Sequence, residues 1–170
     1  MRRYFCPDFY IDTYRDATVS FLREAGIRYL LLDIDNTFAP YEQLEPDEEI
    51  LAWFKAVEEA GIRAAFVSNN GRERVERFNA KIGIPIYPKG KKPLRRYTRV
   101  AMEELGAKPD ETAMMGDQIF TDVWAGKLLG IRTILLPPIK DKRDIFTRFK
   151  RVLEKPIQRK YDRIHRKDKK

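Results

Sequence analysis

Apolar runs alternate with amphipathic stretches along most of the chain. Runs rich in Leu, Ile, Val, Ala and Met predict five strands: Ile27–Leu32, Ile62–Val67, Ile84–Tyr87, Thr112–Met115 and Ile131–Leu136. Helical spacing of apolar positions predicts five helices: Ala17–Glu24, the segment between Pro46 and Gly61, Arg72–Ile82, Leu94–Leu105 and Ile119–Leu129. The alternation of strands and helices predicts an α/β fold, with a parallel sheet covered by helices on both faces.

Local signals support these boundaries. Pro46 and the acids that follow it suit the first turn of a helix, and Gly61 suits the end of one. The apolar spacing in this helix predicts that Trp53 and Phe54 pack in the core rather than bind a ligand. Near the fourth strand, we interpret Thr121 as the cap of a helix start.

The two ends of the chain depart from the alternation. Residues 1–15 are irregular and rich in aromatic side chains, and we expect them to pack as an arm over the domain. Residues 140–170 carry 14 Lys and Arg against 5 Asp and Glu, a net charge of +9, so that residues 1–139 carry about −1. We therefore predict a domain over residues 1–140 and a basic C-terminal helix or disordered tail over residues 141–170.

Composition excludes several classes of protein. No run approaches the ~18 apolar residues of a membrane span, and the first residues lack the apolar core of a signal peptide. With one cysteine, Cys6, the chain has no internal disulfide and is one ligand short of a cysteine metal pair. The only histidine, His165, lies among Lys and Arg residues, and we expect its side chain to be solvated. We expect a cytoplasmic protein.

Two carboxylates stand immediately after the first strand. The apolar run ends in Asp33, Ile34, Asp35, Asn36 and Thr37. Two carboxylates about 4 Å apart repel each other by roughly 1–4 kcal/mol at effective dielectric constants of 80 to 20. A fold that keeps them close therefore needs a cation or a shared proton, whereas Asp and Asn in a solvated turn need neither. The pair alone leaves both interpretations open.

Polar side chains follow the other strands as well. The full set is Asp33, Asp35 and Thr37 after the first strand, Ser68 and Asn69 after the second, Lys92 past the third, and Asp117 and Asp122 after the fourth. Considered alone, Ser68 and Asn69 could simply form a turn, and Lys92 could be a solvated residue of a basic loop. Because ligands bind beyond the carboxyl ends of parallel strands, we expect the set to meet at one edge of the sheet.

This set provides what aspartate-based phosphoryl transfer requires. One carboxylate can attack as a nucleophile, and a second carboxyl group can protonate the leaving oxygen and then activate water. The remaining carboxylates can hold Mg²⁺, which prefers oxygen ligands. A hydroxyl and an ammonium group can stabilise the transferring oxygens. The pattern therefore predicts a magnesium-dependent phosphatase.

Four motifs in order resemble those of the haloacid dehalogenase (HAD) superfamily. They are Asp33-Ile34-Asp35-Asn36-Thr37, Ser68-Asn69, Lys92-Pro93, and Gly116-Asp117 with Asp122. The first motif resembles that of the class III phosphatases. A narrower resemblance, to the YqeG family of type IIIA HAD phosphatases, rests on the opening Cys6-Pro7-Asp8-Phe9-Tyr10 and on the form Gly116-Asp117-Gln118. The resemblance covers roughly residues 5–140. It implies a three-layer α/β/α sandwich around a mainly parallel sheet.

The resemblance also implies a role for each acid. Asp33 would be the nucleophile and a metal ligand. Asp35 would be the general acid and base, with its backbone carbonyl on Mg²⁺. Asp117 would be the other carboxylate ligand of the metal. Asp122 would support these ligands without binding the metal itself.

Phosphate binding is implied for a second group of residues. Thr37, Ser68, Asn69 and Lys92 would hold the phosphoryl group, and Lys92 would also steady the nucleophile. Lys91 competes with Lys92 for this role, and the proline that follows favours Lys92.

Motif spacing predicts that the site has no cap domain. One helix and one strand fill the chain from Asp35 to Ser68, and one helix fills it from Ser68 to Lys92. Uncapped sites in the HAD superfamily tend to serve large substrates, so we expect a protein, a nucleic acid or a lipid head group.

The substrate expectation rests on the resemblance and on the basic tail. The YqeG family is similar to eukaryotic phosphatases that dephosphorylate phosphatidylglycerophosphate, and clusters of Lys and Arg are attracted to anionic membranes. We therefore expect a peripheral phosphatase of that lipid. Two alternatives stay open: a phosphatase for a soluble nucleotide, a sugar phosphate or a phosphoprotein, and a non-catalytic RNA- or ribosome-binding module that uses the tail.

Overall fold

Six parallel strands form the centre of the protein. In the computed structural model, which describes residues 2–140, they are β1 Phe9–Tyr10, β2 Tyr29–Leu32, β3 Arg63–Val67, β4 Ile86–Tyr87, β5 Thr112–Gly116 and β6 Arg132–Leu135. The order across the sheet is β1-β6-β5-β2-β3-β4, and every neighbouring pair is parallel. The helices are α1 Val19–Glu24, α2 Glu48–Glu59, α3 Arg72–Asn79, α4 Arg95–Leu105 and α5 Trp124–Leu129.

Helices cover both faces of the sheet. Because successive strand residues point to opposite faces, Leu30 and Leu32 of β2 join one apolar cluster while Leu31 joins another. The first cluster contains residues of α1, α2 and α3, and the second contains residues of α4. The predicted α/β sandwich with a parallel sheet is therefore confirmed.

Side chains at the element ends explain two differences from the sequence prediction. Helix α3 ends at Asn79, three residues early, because the Asn79 amide bonds to both the backbone N–H and the carbonyl of Ile84 and turns the chain toward β4. The predicted cap at Thr121 is wrong, because this residue lies inside a π-helical turn, Ile119–Val123, that precedes α5.

The N-terminal arm is part of the sheet, which corrects the expectation of an irregular segment. Strand β1 pairs with β6 at the edge of the sheet, and the Thr133 N–H donates to Asp8 Oδ2 over 2.8 Å. Phe5 packs its ring against Phe120 and Trp124, with centroids 5.3 and 5.2 Å away. Two paired residues are too few to give a strand pattern in the sequence.

The strand order creates a switch point between β2 and β5. From β2 the chain continues through β3 and β4 on one side and then returns to β5 and β6 on the other. Leu32 pairs with Phe66 and with Met115, so Asp33 stands level with Val67 and Gly116 at the carboxyl edge. Ligand sites of open α/β sheets lie at such a point.

No cap domain interrupts the described part of the chain. The connection from β2 to β3 holds α2, and the connection from β3 to β4 holds α3. No helix within residues 2–140 is long and apolar enough to cross a membrane. The predicted basic segment 141–170, with His165, lies outside the described residues.

Candidate active site at the carboxyl edge of the sheet

A buried lysine joins two of the predicted acids. Lys92 Nζ lies 2.7 Å from Asp33 Oδ1 and 2.7 Å from Asp122 Oδ1, and the side chains of all three residues are at most 9% exposed. Asp33, Asp117 and Asp122 each offer a carboxylate oxygen within 4.8 Å of the others. The acids predicted from two separate strand ends therefore meet around one ammonium group.

Burial and charge act in opposite directions on this cluster. The pKa of the Asp33 carboxyl is raised from 3.8 to about 7, because burial and the charges of Asp122 and Asp35 together outweigh the lowering effect of Lys92. Burial also lowers the pKa of the Lys92 ammonium, but the charges of Asp122 and Asp33 outweigh this effect and hold that pKa above its ordinary value. One ammonium group thus contacts two of the three carboxylates, and the cluster keeps an excess of negative charge.

The donor chemistry of the cluster fits Mg²⁺. Asp122 uses Oδ1 for Lys92, and its Oδ2 accepts hydrogen bonds from the Gln118 N–H at 3.1 Å and the Thr121 hydroxyl at 3.2 Å. Asp122 is therefore committed to bracing the lysine and the π-helical turn. Asp33 and Asp117 complete the cluster, and buried carboxylate oxygens with excess negative charge suit this ion.

The loop before Lys92 aims that side chain inward. Lys89 and Lys91 have φ angles of 52° and 50°, a left-handed conformation that is uncommon for lysine. Between them the Gly90 N–H donates to the Ser68 carbonyl over 2.8 Å, and a Cβ on Gly90 would lie only 3.2 Å from that oxygen. In this loop Lys91 is exposed and Lys92 is buried, so Lys92 is the lysine that reaches Asp33.

Asn69 fixes the same loop. Its Oδ1 accepts the Lys92 backbone N–H at 2.6 Å, and its Nδ2 donates to the Lys92 carbonyl over 3.1 Å. The side chain also lines the pocket described below, so the predicted contact of Asn69 with phosphate stays a prediction beside this observed bracing contact.

The absence of a side chain at Gly116 makes room for Asp122. A Cβ built on Gly116 would lie 2.3 Å from Asp122 Cγ and 2.4 Å from its Oδ2. Real Cβ contacts are never this close, so any larger residue would displace the carboxylate that braces Lys92. This is the physical reason for glycine in the Gly-Asp motif at the end of β5.

Asp35 belongs to a second cluster on the other side of the pocket. Its Oδ2 accepts a hydrogen bond from Asn70 Nδ2 at 2.9 Å, and its Oδ1 lies 3.2 Å from Arg74 Nη2. Neither Asn70 nor Arg74 was predicted as a site residue. The one sequence feature that points to Arg74 is its spacing of four residues from Phe78, which places both on one helix face, although the charged residues around Arg74 indicate a solvated helix.

A pocket of about 230 Å³ opens between the two clusters. Its walls are formed by Asp33, Asp35, Tyr41, Ser68, Asn69, Asn70, Lys92, Gln118 and Thr121. Thr37 is fully buried and not part of this wall, so its predicted contact with phosphate stays a prediction. The Ser68 hydroxyl accepts the Asn70 N–H at 3.1 Å and lines the pocket.

Asn36 ties the last described residues to this site. It adopts a left-handed conformation with φ of 63°, which asparagine tolerates better than most residues. Its carbonyl accepts the Ile139 N–H and its side-chain oxygen accepts the Lys140 N–H, each over 3.2 Å. The last two described residues, Ile139 and Lys140, are therefore held against the first motif.

Comparison with known proteins gives one family over most of the chain. The family model "Hydrolase: haloacid dehalogenase-like hydrolase" matches residues 5–130. The chain is 31% identical to the probable phosphatase YqeG of Bacillus subtilis over 157 residues, which is 92% of this chain and 91% of that protein. A phospholysine phosphohistidine inorganic pyrophosphate phosphatase of Xenopus laevis is 42% identical over 45 residues, 26% of this chain and 17% of that protein.

Two solved structures show the same fold. An uncharacterized protein from Listeria monocytogenes superposes with a TM-score of 0.55 at 17% identity, over 69% of this chain and 85% of its own. CbbY from Rhodobacter sphaeroides, solved in complex with phosphate, superposes with a TM-score of 0.51 at 17% identity, over 71% of this chain and 90% of its own.

Proposed function

Because the chain belongs to the haloacid dehalogenase-like hydrolase family, we propose that it removes the terminal phosphate of phosphatidylglycerophosphate through a phosphorylated Asp33 and with Mg²⁺. The superfamily and the class of enzyme, a phosphatase similar to YqeG, were both predicted from the motifs and are confirmed by the comparisons. The mechanism, the metal and the lipid are the proposal.

The bond from Lys92 to Asp33 is the observation that carries the mechanism. Lys92 Nζ contacts Asp33 Oδ1 at 2.7 Å and so fixes the carboxylate at the floor of the pocket. Oδ2 is then the oxygen left to attack phosphorus. An attacking group held in place before the substrate arrives lowers the entropic part of the barrier.

Magnesium would be held by the carboxylates of Asp33 and Asp117 and by the backbone carbonyl of Asp35. When bound, it would supply positive charge that neutralises the phosphoryl oxygens beside the attacking carboxylate. Asp122 would keep its bond to Lys92 and support the ligands without joining them.

Proton transfer is assigned to Asp35, which lines the pocket. As the bond from phosphorus to the leaving oxygen breaks, Asp33 Oδ2 bonds to phosphorus and the Asp35 carboxyl gives its proton to the leaving oxygen. Asp35, now a carboxylate, then takes a proton from the water that hydrolyses the phosphoaspartate. Ser68, Asn69 and Lys92 line the same pocket and would hold the phosphoryl oxygens, with Thr37 behind them.

The segment on either side of Lys92 supports a lipid substrate. Leu94 is 62% exposed at the start of α4, two residues after Lys92, and is the most exposed of the large apolar side chains described. The exposed cations Lys89, Lys91, Arg95 and Arg96 surround it in the sequence. An apolar side chain among cations suits contact with an anionic bilayer, which the uncapped site would meet directly.

One experiment tests the enzyme and the substrate together. We expect the full chain with Mg²⁺ to release phosphate from phosphatidylglycerophosphate in mixed micelles with a higher kcat/KM than from glycerol phosphate, nucleotides, sugar phosphates or a phosphopeptide. Asp33→Asn, which keeps the shape of the side chain, should lower every activity by at least about 10³-fold because the nucleophile is lost. Far-UV circular dichroism checks that the variant folds.

The possible failures are distinguishable. A soluble ester as the best substrate would overturn the lipid assignment and leave the phosphatase class intact. Full activity in Asp33→Asn would overturn the mechanism. Tight RNA binding that is lost on deletion of residues 141–170, with no ester cleaved by the full chain, would favour the non-catalytic alternative.

A further inference from the structure

Arg74 is a buried cation whose charge faces Asp35. Its side chain is 7% exposed, and its Nη2 lies 3.2 Å from Asp35 Oδ1. Burying a guanidinium group is costly unless charges or hydrogen bonds compensate it. A buried arginine at the edge of the pocket therefore calls for an explanation.

Packing holds the guanidinium group between two parts of the site. Arg74 lies over the ring of Phe78, 5.1 Å from its centroid, and its Nη1 donates to the Leu44 carbonyl over 3.2 Å. Leu44 belongs to the loop that follows the first motif, and Arg74 belongs to the helix that begins directly after the second motif. Arg74 thus connects the loop that carries Asp35 to α3.

The two oxygens of Asp35 have different partners. Asn70 Nδ2 donates to Oδ2 at 2.9 Å, whereas Oδ1 and Nη2 of Arg74 face each other without the geometry of a hydrogen bond. Among the described residues, Arg74 is the one cation that forms an ion pair with Asp35. Lys92, the other buried cation of the site, pairs with Asp33 and Asp122. The contact with Arg74 is therefore one of charge.

We propose that Arg74 is a positioning residue that orients Asp35 toward the leaving oxygen of the substrate. The inference rests on the proposed role of Asp35 as proton donor. Asn70 donates to Oδ2, Arg74 faces Oδ1, and Asp35 lines the pocket. Arg74 does not touch the substrate and acts only through Asp35.

Leaving groups of different basicity test this role. An alkoxide needs a proton as it departs, whereas p-nitrophenolate departs without one. Because kcat/KM covers only the steps up to phosphorylation of Asp33, it isolates this proton from the later attack of water. We expect Arg74→Met, which keeps the apolar stem, to lower kcat/KM for glycerol phosphate by about 30- to 100-fold and for p-nitrophenyl phosphate by less than about 3-fold.

Matched variants separate positioning from a structural role. Arg77→Met changes an exposed arginine of the same helix, which pairs with Glu45, and should leave the ratio of the two kcat/KM values unchanged. Arg74→Lys keeps the charge but loses the planar group and should show a smaller loss that again affects the alkyl ester selectively. It also serves as the test if Arg74→Met does not fold.

A double variant shows whether Arg74 acts through Asp35. Asp35→Asn should show the same selectivity for leaving group, and adding Arg74→Met to it should cause no further selective loss. Equal losses on both esters in the Arg74 variants would overturn the inference and leave the proposed function standing. Absence of selectivity in Asp35→Asn itself would instead overturn the proposed acid, and the role of Arg74 with it.

Discussion

Two buried cations serve the same pocket, and they are held differently. Lys92 Nζ lies 2.7 Å from two carboxylates, with a hydrogen bond to Asp33 and an ion pair to Asp122, and its backbone is fixed by Asn69. Arg74 faces a single carboxylate at 3.2 Å without hydrogen-bond geometry. Lys92 therefore compensates an excess of negative charge, whereas we propose that Arg74 orients the carboxyl group of Asp35.

The difference corresponds to the two kinds of chemistry proposed for the acids. A nucleophile gains from being immobile, because the attacking oxygen must already lie in line with phosphorus. A proton donor must follow the leaving oxygen as it moves and must later turn to water. A tight contact at Asp33 and a looser one at Asp35 therefore suit their proposed roles, and the comparison can be tested from both sides.

Lys92→Met should have the largest effect. Removing one partner from a buried ion pair costs about 3–5 kcal/mol in the free energy of unfolding, because the other charges remain buried. We also expect kcat to fall by at least about 10²-fold, since a charge that stabilises the transition state is lost. In contrast to Arg74→Met, the loss should be similar for alkyl and aryl phosphates.

Lys91→Met is the matched control, since it removes the exposed neighbour with the same change of side chain. Urea unfolding and steady-state kinetics measure both variants. Equal stability of Lys92→Met and Lys91→Met would contradict the assignment of Lys92 as the compensating charge.

Gly116→Ala should displace Asp122 and leave Lys92 itself unchanged. The added Cβ overlaps Asp122, so the carboxylate must leave Lys92, at a cost of about 1–3 kcal/mol typical of overpacking. We expect lower kcat, with the loss independent of the leaving group. Gly71→Ala is the control because a Cβ there meets nothing within 4 Å. Unchanged stability and kcat in Gly116→Ala would show that Asp122 is not needed as a brace.

The pH dependence of the free energy of unfolding tests the charge of Asp33 without any substitution. The folded protein holds the Asp33 proton up to a pKa of about 7, whereas the ordinary value is 3.8, so the free energy of unfolding should fall as pH rises between these values. One proton limits the slope to about 1.4 kcal/mol per pH unit. Urea unfolding in EDTA at pH 5, 6 and 7 measures it.

Asp33→Asn should flatten this slope, because the amide does not titrate. Excess Mg²⁺ should flatten it in the unaltered protein, since a bound cation favours the ionised carboxylate. A slope that is the same in Asp33→Asn and in the unaltered protein, both without metal, would mean that Asp33 is ionised throughout.

Much of the site could be predicted because strand ends carry it. The apolar runs place Asp33, Ser68 and Asp117 directly after parallel strands, and parallel strands bring those ends to one edge. Lys92 was predicted from its place between a short strand and a proline. The structure adds that the loop conformation turns Lys92 inward and leaves Lys91 outside.

Contacts between distant segments could not be predicted. The contact of Arg74 with Asp35 spans the loop after β2 and the first turn of α3, and the charged sequence around Arg74 is typical of a solvated helix face. Strand β1 is visible only through its pairing with β6. The π-helical turn arises where Asp122 bonds back to the Gln118 N–H, which local spacing does not reveal.

The hydrogen bonds that Asn36 accepts from the backbone of Ile139 and Lys140 join two distant parts of the chain. Asn36 follows Asp35 directly, so the turn that carries the proposed proton donor also anchors residues 139 and 140. A force or a binding event that displaces those two residues would therefore be transmitted to the loop of Asp35.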